Sequence, residues 1–160
     1  MHSRIYQVSA EPISPEDRID ESKYYDNFVG EIADYVSEIG EDVDDGDIKW
    51  LGQHPGIETD PVKKTVTVTD KTAYFAGKYK TFQETLDKLK ATTPEEFQKY
   101  EPGDKLGMSM FILNEAYSDK FGFYMDDNGE WWGLETVDDW VRHAETGKTY
   151  YLGTVVDYHY

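Results

Sequence analysis

The chain has no cysteine, little arginine and no long apolar run, and each shortage closes off a set of functions. Without cysteine there is no disulfide framework, no thiolate nucleophile and no Cys-ligated zinc. The longest apolar-looking stretch, Met108 to Leu113, is six residues and includes Ser109, against about 20 for a membrane-spanning helix. No run of signal-peptide length follows Met1-His2-Ser3-Arg4, so the expected location is the cytoplasm. Positive charge is scarce too: 16 Lys and Arg stand against 33 Asp and Glu, a formal net charge of −17. That balance argues against binding DNA or RNA through phosphates, which needs a basic footprint. No Pro-, Gly- or Ser-rich linker, repeat or low-complexity tract divides the 160 residues. A length of this order suits one hydrophobic core of about 100–150 residues, so 1–160 is expected to be a single acidic domain.

Acid and aromatic residues are plentiful. The 13 Tyr, 7 Phe and 4 Trp are too many for a disordered chain. Acidity is regional: residues 1–60 carry −12, residues 61–100 carry +3 and residues 101–160 carry −8. Salt adaptation is a poor explanation, because Lys, which it would deplete, outnumbers Arg here. Solubility is a poor one as well, since a net charge of about 2–8 already suffices for a small domain. The excess costs self-repulsion.

Local patterning predicts an α+β fold with a mixed or antiparallel sheet and several short helices. Arg4 to Ser9 reads as a strand, and Ser14-Pro15-Glu16-Asp17 as a single helical turn. Val29, Ile32, Val36 and Ile39 fall within about 80° on a helical wheel, predicting a helix over 26–39 that Gly40 ends. Ile48 to Gln53 is expected to form a short helix burying Trp50 and Leu51. Lys64 to Thr69 alternates with period two and is β-branched, so it is a strand. Asp70 then caps a helix whose stripe of Phe75, Tyr79, Phe82, Leu86 and Leu89 is expected to be buried. Thr93-Pro94-Glu95-Glu96 starts another short helix running to Tyr100, and Met108 to Tyr117 a further one. Asn128-Gly129 marks a hairpin between Phe121–Met125 and Glu130–Trp132. Thr136 caps a last helix burying Val137, Trp140, Val141 and Ala144, and the tail from Thr149 is a strand with Gly153 at a bulge or bend.

The search for chemistry is mostly negative. Neither Glu41–Asp47 nor Asp126–Gly129 meets the ligand spacing of a calcium loop: Val43 and Tyr124 occupy ligand positions. No zinc-protease pair, nucleophile elbow, phosphate loop or dinucleotide fingerprint is present. Asp139 and His143, four residues apart on the last helix, are the best-spaced pair for sharing a proton or metal, although the helix dipole alone also favours His there. The expectation is therefore a binding protein, not an enzyme, with no cofactor and no metal. Tyr24-Tyr25, Trp131-Trp132 and Tyr150-Tyr151 are adjacent aromatic pairs; on strands one member of each would face out.

On the predicted helix over 26–39, Glu31, Asp34 and Glu38 cluster within about 60° opposite the apolar face. Asp42, Asp44, Asp45 and Asp47 would extend that patch, giving a candidate partner-binding surface. Since duplex DNA carries one charge per about 1.7 Å, a charge of −17 on a compact chain is comparable with about a turn of DNA. In size and charge, though in no motif, the chain resembles the DNA-mimic inhibitors of phages and mobile elements. That resemblance implies a basic nucleic-acid-binding partner such as a CRISPR or restriction nuclease, with no direct nucleic-acid contact. The competing expectation is a cytoplasmic adaptor, or a small enzyme whose active site carries no familiar motif.

Overall fold

The computed structural model describes residues 1–38, 45–99, 105–128 and 133–160, with the backbone alone of Glu38 and Asp45. Its elements are β1 (His2–Ser9), β2 (Tyr35–Glu38), α1 (Asp45–Leu51), β3 (Ile57–Asp60), β4 (Thr65–Val68), α2 (Lys71–Lys90), α3 (Pro94–Gln98), α4 (Lys105–Tyr117), β5 (Tyr124–Asp126), β6 (Leu134–Thr136), α5 (Val137–His143) and β7 (Thr149–His159). Seven strands form one mixed sheet, six of them in the order β3-β4-β7-β1-β5-β6 and the seventh, β2, paired with β7 off that path. The fold is α+β, as the local patterning predicts. β1 and β5 are parallel and the remaining pairs antiparallel. Long β7 pairs with β1 on one side. Its other side is shared by β4 at Thr149–Tyr151 and β2 at Val156–His159.

Alternation along the strands divides the core between the two faces. On one face Tyr6, Val8, Val66, Val68, Met125 and Val155 pack against Ile48 and Leu51 of α1, Trp140 and Val141 of α5, and Tyr74 at the root of α2. On the other, Ile5, Val36, Tyr124, Val156 and Tyr158 are covered by Tyr24, Phe28 and Ala33. The cover here is a strap over 10–34 that holds two short 3-10 turns, Pro15–Asp17 and Glu21–Tyr24. Gln7 pins the strap to the sheet. Its Nε2 donates to the Asp17 carbonyl at 2.8 Å, and its Oε1 accepts from Ile19 N at 3.2 Å and Thr154 N at 3.1 Å. That bond falls where the β1–β7 register shifts between Tyr6 and Val8, opposite Gly153, so the expected irregularity at Gly153 is present.

The helix expected over 26–39 does not form. Turns carry the chain from Tyr25, Gly30 sits at φ +92°, outside the helical region, and Tyr35–Glu38 pairs with the end of β7. The apolar spacing is met by turns that bury Phe28 and Ala33 and a strand that buries Val36. A free stretch of sheet edge rewards β-favouring Tyr-Val-Ser more than helical propensity does. Ile39 and Gly40 lie outside the described residues. The stripe on α2 is also not buried: Tyr79 is 64% exposed and Phe75, Phe82, Leu86 and Leu89 are half-buried, while Tyr74 and Thr85 are buried. Beyond its root α2 has left the sheet and packs against α4, and two helices cannot enclose a full face. Trp50, expected inside, is partly exposed under the Arg4 guanidinium, 5.2 Å from its ring centre. The second hairpin strand is β6, later than Glu130–Trp132, which lies outside the described residues along with Tyr100.

Capping agrees with the sequence in detail. Asp70 accepts from Ala73 N at 2.9 Å, Thr136 from Asp139 N at 3.3 Å, and Thr93 with Glu96 forms a reciprocal capping box.

Candidate acidic interaction surface

The strap's inner side is apolar, so its charges are left outside. Glu11, Glu16, Asp17, Asp20, Asp26, Glu31 and Asp34 are all exposed, with Glu21 half-buried. Lys23, within the same strap, is exposed too but is engaged: its Nζ lies 2.8 Å from Oδ1 of Asp126. Asp126 is fully buried, and it also accepts from the Tyr24 hydroxyl at 2.8 Å and from Asn128 N at 2.8 Å. The ammonium is thus used to neutralise a buried carboxylate, so it offsets less of the strap's exposed negative charge. Burial and the adjacent carboxylate push the Tyr24 phenol far above its ordinary pKa, keeping it a donor.

The predicted partner-binding residues do not form one helical array. Glu31 and Asp34 are exposed on the strap, Asp34 meeting His159 Nδ1 at 3.1 Å. Glu38 ends β2 and Asp45 begins α1, while Asp42 and Asp44 lie outside the described residues. Asp47 is buried and paired with Arg4 Nε at 2.9 Å; Arg4 also bridges to Asp157. Glu11, Glu16, Asp17, Asp20 and Asp26 were not singled out by helical spacing. The available signal was the plain excess of acid over base before residue 35.

His143 does not pair with Asp139. It meets Glu135 Oε2 at 3.3 Å, and Asp139 takes Arg142 at 2.6 Å. Glu135 and His143 line a cavity of about 190 Å³ with Trp140 and Tyr150. Burial raises the Glu135 pKa, and His143 opposes the rise. His54 is half-buried between Tyr74 and Phe123, and burial holds it below its ordinary value. Of the adjacent aromatic pairs, Tyr150 and Tyr151 on β7 are both half-buried, so neither faces out as strand alternation predicts. Tyr24 is buried and Tyr25 exposed, but at the end of a 3-10 turn, and Trp131-Trp132 lies outside the described residues.

A second buried carboxylate, Asp138, anchors the helical pair. It receives the Tyr74 hydroxyl at 2.7 Å, Lys78 Nζ at 2.9 Å and Asp119 N at 3.2 Å. Nearby, Glu115 is raised to about 7, by burial first and then by a hydrogen bond and charge from Asp119. Its ordinary value is 4.5, so between 4.5 and about 7 the folded state binds the extra proton. This group's contribution to stability is therefore full below 4.5 and is lost as pH rises to about 7. Glu115→Gln removes the titration. Compared by urea unfolding, the variant is expected to gain about 1 kcal/mol on wild type between pH ~5 and ~7, a figure reduced for solvent screening. A gap independent of pH would mean that Glu115 titrates alike in both states.

No protein-family model, curated protein or solved structure matches this chain. No helix among the described residues is long and apolar enough to cross a membrane.

Proposed function

We propose that this chain is an acidic binding protein that occupies a basic, nucleic-acid-binding protein surface, in the manner of DNA-mimic inhibitors. The observation that carries the reading is the strap: its exposed carboxylates lie on a segment pinned to a sheet, while its lysine is paired with the buried Asp126. A fixed array of charges is attracted to a basic cleft with less ordering cost than a flexible acidic tail. Association is fast and weakens as salt rises, because such charges steer the encounter. The partner class favoured by this chemistry is a CRISPR or restriction nuclease, which places the action in the cytoplasm and needs no cofactor.

The test is inhibition of DNA cleavage by a panel of purified CRISPR and restriction nucleases. At least one is expected to be inhibited, with the inhibition relieved by added DNA and by salt. Glu16→Lys, Asp26→Lys and Glu31→Lys together change the strap's charge by six units without touching the core, and are expected to abolish it at low salt. If no nuclease responds, or the triple variant inhibits as well as wild type, the reading fails. Salt-independent capture of a partner through exposed aromatics such as Tyr25 would favour an adaptor instead.

A further inference from the structure

The cavity of about 190 Å³ at the end of β1 lies beside α5, on the face of the sheet opposite the strap. Among the described residues its aromatic lining is Trp140 and Tyr150, whose rings meet edge to face at 5.3 Å. Acids outnumber bases there: Asp127, Glu135 and Glu145 stand against Lys148, with His143 beside them. At about 30 Å³ per water the space equals about six waters, which suits a ligand of roughly six to ten non-hydrogen atoms.

Glu135 is the group without a matched counter-charge. Its side chain is only 9% exposed, yet the cation it meets is an imidazole, His143, 3.3 Å away and itself 42% exposed. The carboxylates buried elsewhere, Asp47, Asp126 and Asp138, each have an Arg or Lys nitrogen at 2.9 Å or less. A buried carboxylate needs such a partner to offset its lost hydration, and the raised pKa of Glu135 agrees with the shortfall. The rings favour the same kind of occupant, because the face of Tyr or Trp attracts a cation within about 6 Å. One such contact already exists: the Lys148 Nζ lies 5.2 Å from the Tyr150 ring centre. An anion would meet three carboxylates, and a neutral ligand would leave the charge of Glu135 unanswered.

We propose that this cavity binds a small organic cation, an alkylguanidinium or alkylammonium group, with Glu135 as its counter-charge and Tyr150 as its aromatic wall. Lys148 is then an internal competitor that the ligand displaces from the ring. Free amines and the ends of Arg or Lys side chains present the same group, and the test separates them. The site and the strap lie on opposite faces of the sheet, so neither reading depends on the other.

Butylguanidinium is titrated into isotope-labelled protein and followed by NMR, at about 0.15 M salt so that diffuse attraction to the −17 charge is screened. Saturable binding is expected, with a Kd of about 1 mM or tighter for about eight non-hydrogen atoms. Signals of Glu135, Trp140 and Tyr150 should move, and those of Glu16, Asp26 and Glu31 on the strap should not. Neutral butylurea, of the same shape, is expected to bind at least ~10-fold more weakly, and Glu135→Gln to weaken butylguanidinium by a similar factor. Lys148→Gln, at an exposed position that cannot endanger the core, is expected to tighten binding about 3-fold by removing the competitor. Lys80→Gln, an equal change of charge on exposed α2, leaves it unaltered. N-acetylarginine methylamide binding as tightly as butylguanidinium assigns the site to a partner's side chain, and weaker binding assigns it to a free cation. Absence of saturation, equal binding of butylurea, shifts spread over the acidic surface, or wild-type affinity in both the Glu135 and Lys148 variants overturns the proposal.

Discussion

Replacing Lys78 by Met is expected to lower folding stability by about 3–5 kcal/mol, the cost of stranding a buried charge. Asp138 is fully buried at the start of α5, and Lys78 Nζ lies 2.9 Å from Oδ2. Its other donors, the Tyr74 hydroxyl and Asp119 N, are neutral, so they orient the carboxylate without cancelling its charge. Tyr74→Phe should consequently be milder, at about 1.5–3 kcal/mol for one hydrogen bond to a charged group. Joining Lys78→Met to Asp138→Leu should recover much of the loss, because an apolar pair of similar volume avoids the desolvation penalty. Urea unfolding followed by tryptophan fluorescence gives all four stabilities. A loss below about 1 kcal/mol for Lys78→Met would class the pair with surface ion pairs, and α2 would need another anchor.

The second large effect is expected for Gly56→Ala, at about 3 kcal/mol or more, from two causes that add. Gly56 has φ +74°, which an L side chain rarely adopts, and its added methyl would collide with the Asp70 carbonyl, whose carbon lies 2.8 Å away. The obstacle is backbone and cannot rotate aside. It is also engaged: the Gly56 carbonyl accepts from Thr69 N at 2.8 Å and Asp70 N at 3.2 Å, and the Asp70 carbonyl accepts from Tyr74 N. Any shift that relieves the clash disturbs the first turn of α2 and, through Tyr74, the Asp138 group. Gly147→Ala separates the causes, since Gly147 has φ +82° with nothing near its missing Cβ. It should cost only the backbone term, about 1–2 kcal/mol. Equal losses at the two glycines, in thermal or urea unfolding, would remove the collision from the account.

Both variants act at the root of α2, where local sequence was informative about secondary structure and silent about packing. The period-two run that became β4 and the Asp70 cap were readable because each depends on a few neighbouring residues. The apolar stripe of α2 was equally readable, but whether anything covers it depends on where the helix leaves the sheet. Nothing within 71–90 records that. β2 shows the same limit from the other side: Val29, Ile32 and Val36 fit helical spacing, and only the free edge at the end of β7, more than 100 residues away, makes Tyr35–Glu38 a strand.

The candidate surface divides in the same way. The amino-acid sequence by itself determined the charge of −17, its concentration before residue 61, the α+β class and the helix caps, because these are sums or short-range interactions. It did not determine which carboxylates face solvent. Asp47, Asp126 and Asp138 are chemically like Asp20, Asp26 and Asp34, yet the first three are buried against Arg4, Lys23 and Lys78 while the others remain outside. Tertiary structure decided that, since a carboxylate leaves water only where a cation and hydrogen-bond donors converge on it. Lys23, 103 positions from Asp126, and Lys78, 60 from Asp138, are brought there by the sheet and the root of α2.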